Sequence, residues 1–80
     1  MKPYKTIQEL LDDSKKHGPY VQNKYNNNYY LITQLYKVDI EGVKENCVAI
    51  LDLDKHFTSL ELFEHFTWQD GHPCGKNEND

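Results

Sequence analysis

The stretch that decides the fold is Tyr29-Tyr-Leu-Ile-Thr-Gln-Leu-Tyr-Lys-Val-Asp-Ile40, followed by the shorter run Cys47-Val-Ala-Ile-Leu-Asp-Leu53. Both runs are rich in β-branched and aromatic residues, which favour β-strands. The polar, glycine-containing segment Glu41-Gly-Val-Lys-Glu-Asn46 between them is typical of a hairpin connection. Because strand 29–40 carries apolar residues on both faces, we expect it in the middle of a sheet or in a small barrel.

A helix is predicted over residues 6–17, before this hairpin. It opens with the capping box Thr6-Ile-Gln-Glu9, in which the threonine hydroxyl and the glutamate carboxylate satisfy early backbone amides. The basic side chains of its last turn, His17 among them, complement the negative end of the helix dipole. Gly18 and Pro19 end the helix, since glycine adopts the left-handed stop and proline cannot continue.

Further strands and a second helix follow from local signals. Residues 19–24 are predicted to pair with residues 29–38 in a hairpin, because Asn26-Asn-Asn28 tolerates the positive φ angles of a turn. The capping-box match Thr58-Ser-Leu-Glu61 predicts a short helix over 59–66, although the apolar alternation in that segment also fits a strand.

The predicted fold is a compact α+β domain. The N-terminal helix packs on a curled, barrel-like antiparallel sheet of three or four strands, and the second short helix precedes the last strand, Thr67-Trp68-Gln69. Residues 1–76 are expected to form a single small domain. Residues 77–80 are polar and lack an apolar anchor, so we expect a frayed tail there.

The chain is small and acidic. Its 80 residues carry a net charge of −4, and the nine residues counted as lysine or arginine are all lysines. Without arginine or a basic patch, direct nucleic-acid binding is not expected, whereas an acidic surface that mimics nucleic acid stays open as an alternative. The first residues lack the apolar segment of a signal peptide, and no apolar run could span a bilayer. We therefore expect a cytoplasmic protein without a membrane partner.

The loop Asp70-Gly-His-Pro-Cys-Gly75 is the most distinctive candidate site. One interpretation is a thiol or metal site built on His72 and Cys74, because a thiolate beside an imidazole can act as a nucleophile or as a metal ligand. The other interpretation is a turn fixed by its glycine and proline, with Cys74 buried as a small hydrophobic residue. Turn residues of this kind are common, so the sequence favours the second interpretation.

Zinc needs about four ligands at suitable spacing. The other ligand candidates, Cys47, His56 and His65, form no Cys-x-x-Cys or His-x-x-x-His pair with each other or with the loop. We therefore expect no metal and no cofactor. In the cytoplasm both cysteines would be free thiols, and after export a disulfide between them is the alternative.

Tyrosines concentrate in the first hairpin. We predict an interaction surface formed by Tyr25, Tyr29, Tyr30 and Tyr36, because exposed aromatic side chains are enriched at protein interfaces. The alternative is that these rings fill the core between helix and sheet. A strand that is apolar on both faces favours a second covering surface, such as the other copy in a homodimer.

The predicted helix ends in Lys16-His17-Gly18-Pro19-Tyr20-Val21. A small sheet follows, and an aromatic strand then runs into Asp70-Gly71-x-Pro73-Cys74-Gly75. This order of parts resembles small uncharacterised proteins of bacteria and their mobile elements. The resemblance covers most of the chain but brings no activity, ligand or catalytic residue. It implies that the Gly18-Pro19 stop and the C-terminal loop belong to one fold, in which the loop closes the barrel.

No catalytic constellation is visible in the sequence, since no serine has the setting of a nucleophile and no glycine-rich phosphate loop is present. The leading hypothesis is therefore a non-enzymatic protein-interaction module with a protein partner, encoded by a bacterium, a phage or another mobile element. The alternatives are a thiol or metal site at His72 and Cys74, and an acidic inhibitor that mimics nucleic acid.

Overall fold

The structure, a computed structural model, describes residues 1–77, apart from the side chains of Gln34, Leu35, Tyr36, Val38, Ile40, Asn46 and Leu51. One α-helix comes first along this part of the chain, and a second lies between the last two strands. In chain order the elements are α1 (Ile7–His17), β1 (Tyr20–Asn23), β2 (Tyr29–Leu31), β3 (Gln34–Ile40), β4 (Val43–Ile50), a 3₁₀ turn (Leu51–Leu53), β5 (Lys55–Thr58), α2 (Ser59–His65) and β6 (Phe66–Trp68).

The strands form two open, three-stranded antiparallel sheets. The first sheet has the order β2-β1-β6, and the second has the order β3-β4-β5. The predicted α+β class is confirmed. The single curled, barrel-like sheet is not formed, because the strands divide between two sheets and neither sheet closes.

The stretch 29–40 is not one central strand, as the sequence analysis expected. It divides at Ile32 and Thr33 because their backbone amides bond to different sheets. The Ile32 amide donates to the carbonyl of Pro19 at 3.0 Å, and the Thr33 amide donates to the carbonyl of Ala49 at 2.9 Å. The two parts are edge strands of different sheets, so this stretch connects the sheets instead of occupying the centre of one.

The connection predicted over 41–46 is in fact a two-residue turn. Glu41 and Gly42 both have positive φ angles, of 52° and 81°, and Ile40 pairs directly with Val43. Such a turn matches the twist of the flanking strands. The following residues consequently extend β4, which ends at Ile50 instead of Leu53.

Both predicted helices are confirmed. The hydroxyl of Thr6 accepts a hydrogen bond from the amide of Glu9, and Thr58 forms a complete capping box with Glu61. The predicted closing edge strand is also present as β6, which pairs with β1. Strand β5 was not predicted. Neither helix among the described residues has the length and apolar character that crossing a membrane requires.

One hydrophobic core joins both helices and both sheets. It includes Leu10 of α1, Leu62 of α2, Val21 of the first sheet and Val48 of the second. The completely or almost completely buried members are Leu10, Val21, Val48, Ile50, Leu62, Phe66, Trp68 and Cys74. Of the predicted tail 77–80, Asn77 is exposed and 78–80 lie outside the described residues.

Candidate functional site

The C-terminal loop is a tight turn that starts from the buried Trp68. The amide of Trp68 donates to the carbonyl of His72 at 2.8 Å, and the amide of Gly71 donates to the carbonyl of Trp68 at 2.9 Å. The carboxylate of Asp70 also accepts a hydrogen bond from the amide of His72 at 3.1 Å. Both ends of the turn are therefore anchored to one buried residue, which fixes where Asp70 and His72 lie.

This turn separates the two residues that the sequence analysis paired. The side chain of His72 is 65% exposed, whereas Cys74 is 0% exposed and belongs to the core. Burial raises the pKa of the Cys74 thiol well above its usual value, which lowers the population of the nucleophilic thiolate at neutral pH. The described residues show Cys47 and Cys74 as buried, free thiols and not as a disulfide.

His17, the last residue of α1, joins the loop instead. Its Nδ1 lies 2.5 Å from Oδ2 of Asp70, and Nδ1 of His72 lies 3.1 Å from Oδ1 of the same carboxylate. The two imidazole rings stack with their centroids 4.6 Å apart. One carboxylate thus holds two histidines that are far apart in the chain, and we call these three residues the His-Asp-His cluster.

The electrostatics of the cluster depend on Asp70. Partial desolvation raises the pKa of this carboxyl. Hydrogen bonds from His17 and from the backbone and side chain of His72 have a larger, opposite effect, so the pKa is lowered to about 2. Asp70 is therefore ionised at neutral pH. It is a permanent anionic acceptor that orients both imidazoles through their Nδ1 atoms.

A cavity of about 460 Å³ lies beside the cluster, and His17 and His72 are part of its wall. The wall also contains Lys16 and Lys76, so positive charge predominates there. Its one lining carboxylate, that of Asp13, lies 3.6 Å from the ammonium of Lys76. The cavity therefore offers an electropositive surface next to the imidazoles.

A buried hydrogen-bond network supports the segments that form the cluster and the cavity. The hydroxyl of Tyr4 donates to Asp13 at 2.6 Å and accepts from the indole Nε1 of Trp68 at 2.9 Å. The N-terminal segment is tied to the end of the loop by paired backbone hydrogen bonds between Lys2 and Lys76. Segments from the two ends of the described chain thus support the same site.

The remaining ligand candidates lie on other elements. Cys47 is buried in β4, His56 is exposed on β5, and His65 ends α2. Within residues 1–77, the His-Asp-His cluster is the one group of three possible ligands with neighbouring donor atoms. It includes His72 from the sequence prediction but replaces Cys74 with His17 and Asp70.

The described tyrosines of the predicted interaction surface do not form one exposed patch. Tyr29 is exposed on β2, and Tyr25 is exposed in the turn, where its ring contacts that of His65. Tyr30 is half-buried and packs edge-on against Phe66, with centroids 6.4 Å apart. Tyr36 belongs to β3, and its side chain is outside the described part of the structure.

Tyr29 shares an exposed face with three residues outside the predicted surface, Tyr20, Gln22 and Leu31. Register places Tyr20 opposite Leu31 and Gln22 opposite Tyr29, so all four lie on the side of the first sheet away from the core. Tyr20, Tyr29 and Leu31 are 43%, 56% and 39% exposed. We call these four residues the outer face of the first sheet.

The chain was also compared with known proteins. Protein-family models, curated proteins and solved structures give no significant match. The resemblance to small proteins of bacteria and mobile elements therefore stays a hypothesis, and function has to be inferred from the geometry of the chain itself.

His17 was not predicted as a site residue because its position in the last helical turn already had an explanation in the helix dipole. A signal was present, since Gly18-Pro19 redirects the chain immediately after an imidazole. That signal does not identify the partner, because 53 positions separate His17 from Asp70. Tyr20 and Leu31 would follow from the hairpin once its register is known.

Proposed function

We propose that this protein is a non-enzymatic interaction module that binds a partner protein through the outer face of the first sheet. The observation that carries the proposal is the alignment of three large exposed side chains, Tyr20, Tyr29 and Leu31, on neighbouring strands. Tyrosine supplies apolar contact area and a hydrogen-bonding hydroxyl, and it is enriched at the centres of protein interfaces.

The charges around this face define the chemistry of the partner. The face itself carries no charged side chain. Exposed carboxylates lie near its margins, because β2 contacts the 3₁₀ turn that contains Asp52, and β6 leads into Asp70. We infer a partner with an uncharged apolar patch surrounded by basic residues, since a buried charge opposite Leu31 would lack a counter-charge.

The setting of the module is part of the same proposal. We infer a cytoplasmic protein of a bacterium or of a mobile element, as the sequence predicts. The alternative of an acidic nucleic-acid mimic depends only on the net charge of −4, and no feature of the described surface favours it. The exposed aromatic face favours a protein partner instead.

The experiment compares Leu31→Lys and Tyr29→Lys with the control Leu60→Lys. Leu60 is another exposed apolar residue, at 51%, but it lies on α2 and away from the face. The full chain is immobilised and partners from the source cells are quantified by mass spectrometry. We expect one partner to bind the wild type and Leu60→Lys equally, and to bind each face variant at least about tenfold more weakly, as for an interface hot spot.

Equal retention by all four proteins would overturn the proposed surface, and so would the absence of any partner of the wild type. Circular dichroism verifies that each variant is folded. Light scattering of the purified proteins identifies the competing outcome, in which the wild type and Leu60→Lys are dimers and the face variants are monomers. That result would assign the face to a second copy of the chain.

A further inference from the structure

We propose that His17, Asp70 and His72 bind one divalent transition-metal ion of the Zn²⁺ type. Each of the three side chains offers one ligand atom, and these atoms lie within 4.8 Å of one another. Two imidazoles and a carboxylate form a mixed nitrogen and oxygen donor set, which suits zinc, cobalt and nickel. Magnesium and calcium prefer oxygen ligands throughout, so they are poor candidates. The ion would bind with or without the proposed protein partner, and Asp70 is the residue that the two proposals share.

The spacing of the donor atoms is close to what such an ion requires. With zinc–ligand bonds of about 2.0–2.1 Å, tetrahedral ligand atoms lie about 3.3 Å apart. Nδ1 of His72 is already 3.1 Å from Asp70, and Nδ1 of His17 is 2.5 Å from its other oxygen. Modest side-chain rotations would therefore admit the ion. Each imidazole would then present Nδ1 to the metal and carry its proton on Nε2.

The framework that holds the donors is already ordered without an ion. His17 is fixed by the end of α1, and its ring stacks on that of the buried Trp68 with centroids 6.2 Å apart. Trp68 also anchors the backbone of the turn that carries the other two donors. Little conformational entropy is consequently lost when the ion binds, which favours affinity.

The surroundings imply an open coordination position. His72 and Asp70 are exposed, and no fourth side chain joins the group within residues 1–77. Water or an external ligand would complete the shell, as in zinc sites that keep one position free. The wall of the neighbouring cavity includes Lys16 and Lys76, and Asp13 lies beside the ammonium of Lys76. An anion is therefore the external ligand that this side of the ion would favour.

The test measures binding of Zn²⁺ to the full, reduced chain by native mass spectrometry and isothermal titration calorimetry. We expect one ion per chain, undisturbed by excess Mg²⁺. His17→Gln, Asp70→Asn and His72→Gln should each weaken binding at least about tenfold, because even partners outside the ligand shell change metal affinity by that factor. The matched control is His65→Gln, since His65 also lies beside a carboxylate, that of Glu64 at 4.0 Å, but without a third donor.

The proposal is overturned if the wild type binds no ion, or if His65→Gln loses as much affinity as the cluster variants. Circular dichroism verifies folding, and His72→Gln decides the matter if another variant fails to fold, because His72 is the most exposed of the three. Co²⁺ provides an independent readout. A cobalt spectrum of nitrogen and oxygen ligation supports the site, whereas a strong sulfur charge-transfer band would assign the ion to a cysteine and refute it.

Discussion

The hydroxyl of Tyr4 donates a 2.6 Å hydrogen bond to the carboxylate of Asp13 in the protein interior. Asp13 lies one helical turn before His17, so this bond holds the end of α1 against the N-terminal segment. The indole of Trp68 donates to the same hydroxyl. Tyr4 therefore connects the Asp13 carboxylate of α1 to Trp68, the core residue that anchors the turn of the candidate metal site.

Replacement of Tyr4 by phenylalanine should destabilise the fold. Tyr4→Phe removes the hydroxyl but keeps the ring, so it leaves the buried Asp13 carboxylate and the Trp68 indole without this partner. We expect a loss of about 1–3 kcal/mol in the free energy of unfolding, the usual cost of an unsatisfied buried polar group. Urea denaturation measures it, with Tyr29→Phe as the control because Tyr29 is exposed. Equal stability of the two variants would contradict the role of the network.

The same hydroxyl should make stability fall at alkaline pH. Burial raises the pKa of Tyr4 strongly, and the hydrogen bond to Asp13 raises it further, although the bond from Trp68 lowers it. Asp13 and Cys74 are the acidic groups that face it. Below the unfolded-state pKa of about 10 the hydroxyl is protonated in both states. Above that pH the unfolded chain releases the proton and the folded chain keeps it, so unfolding becomes easier.

The measurement is the stability difference between wild type and Tyr4→Phe from pH 8 to pH 11. We expect a constant difference up to about pH 10 and then a decrease of at most about 1.4 kcal/mol per pH unit, the value for one proton. Other groups that titrate in this range contribute equally to both proteins. A difference that stays constant would show that Tyr4 ionises normally in the folded state, and one that grows with pH would show that folding lowers its pKa.

Gly18 should tolerate alanine less well than another glycine with positive φ. The predicted stop has the expected positive φ of 96°, but its ψ of 167° is extended instead of left-handed helical. This region is open essentially to glycine alone. A Cβ atom at Gly18 would also lie 2.5 Å from Cδ of Gln69, whose amide oxygen accepts a hydrogen bond from the Tyr20 amide.

Gly42→Ala is the matched control, because Gly42 has φ of 81° and no neighbouring atom within 4 Å of a Cβ. That variant should lose about 1–2 kcal/mol through backbone strain alone. Gly18→Ala should lose about 1–3 kcal/mol more, the usual cost of overpacking. Thermal and urea unfolding give both values. Similar losses for the two variants would mean that Gln69 moves aside freely.

The parts of the fold that the sequence predicted are those with local causes. Thr6 and Thr58 each bond to an amide three residues later, so both helix starts are visible in four consecutive residues. Turn chemistry likewise predicted the hairpin of β1 with β2. The break at Ile32 and Thr33 has no local signal, because it depends on the carbonyls of Pro19 and Ala49 in different sheets.

The candidate sites were predictable only in part for the same reason. The loop 70–75 was identified from its residue types, and His72 belongs to the cluster. The histidine beside it, His17, lies at the end of α1, and no spacing rule relates the two residues. The interpretation that the sequence favoured for Cys74, burial as a small hydrophobic residue, agrees with its position in the core. Whether a side chain of this loop is buried or exposed depends on the orientation of the tight turn. The hydrogen bonds of the turn to Trp68 set that orientation.

Both cysteines should be unreactive in the folded protein. Cys74 is completely buried, Cys47 is 3% exposed, and burial raises the pKa of each thiol, with Glu45 and Glu61 raising that of Cys47 further. We expect no rapid reaction with a disulfide reagent at pH 8, and reaction of both thiols in urea. Glu64→Cys provides the positive control, because Glu64 is exposed on α2 and a thiol there should react at once. Rapid labelling of Cys74 in the folded wild type would favour the thiol site that the sequence left open, and would contradict the assignment of this residue to the core.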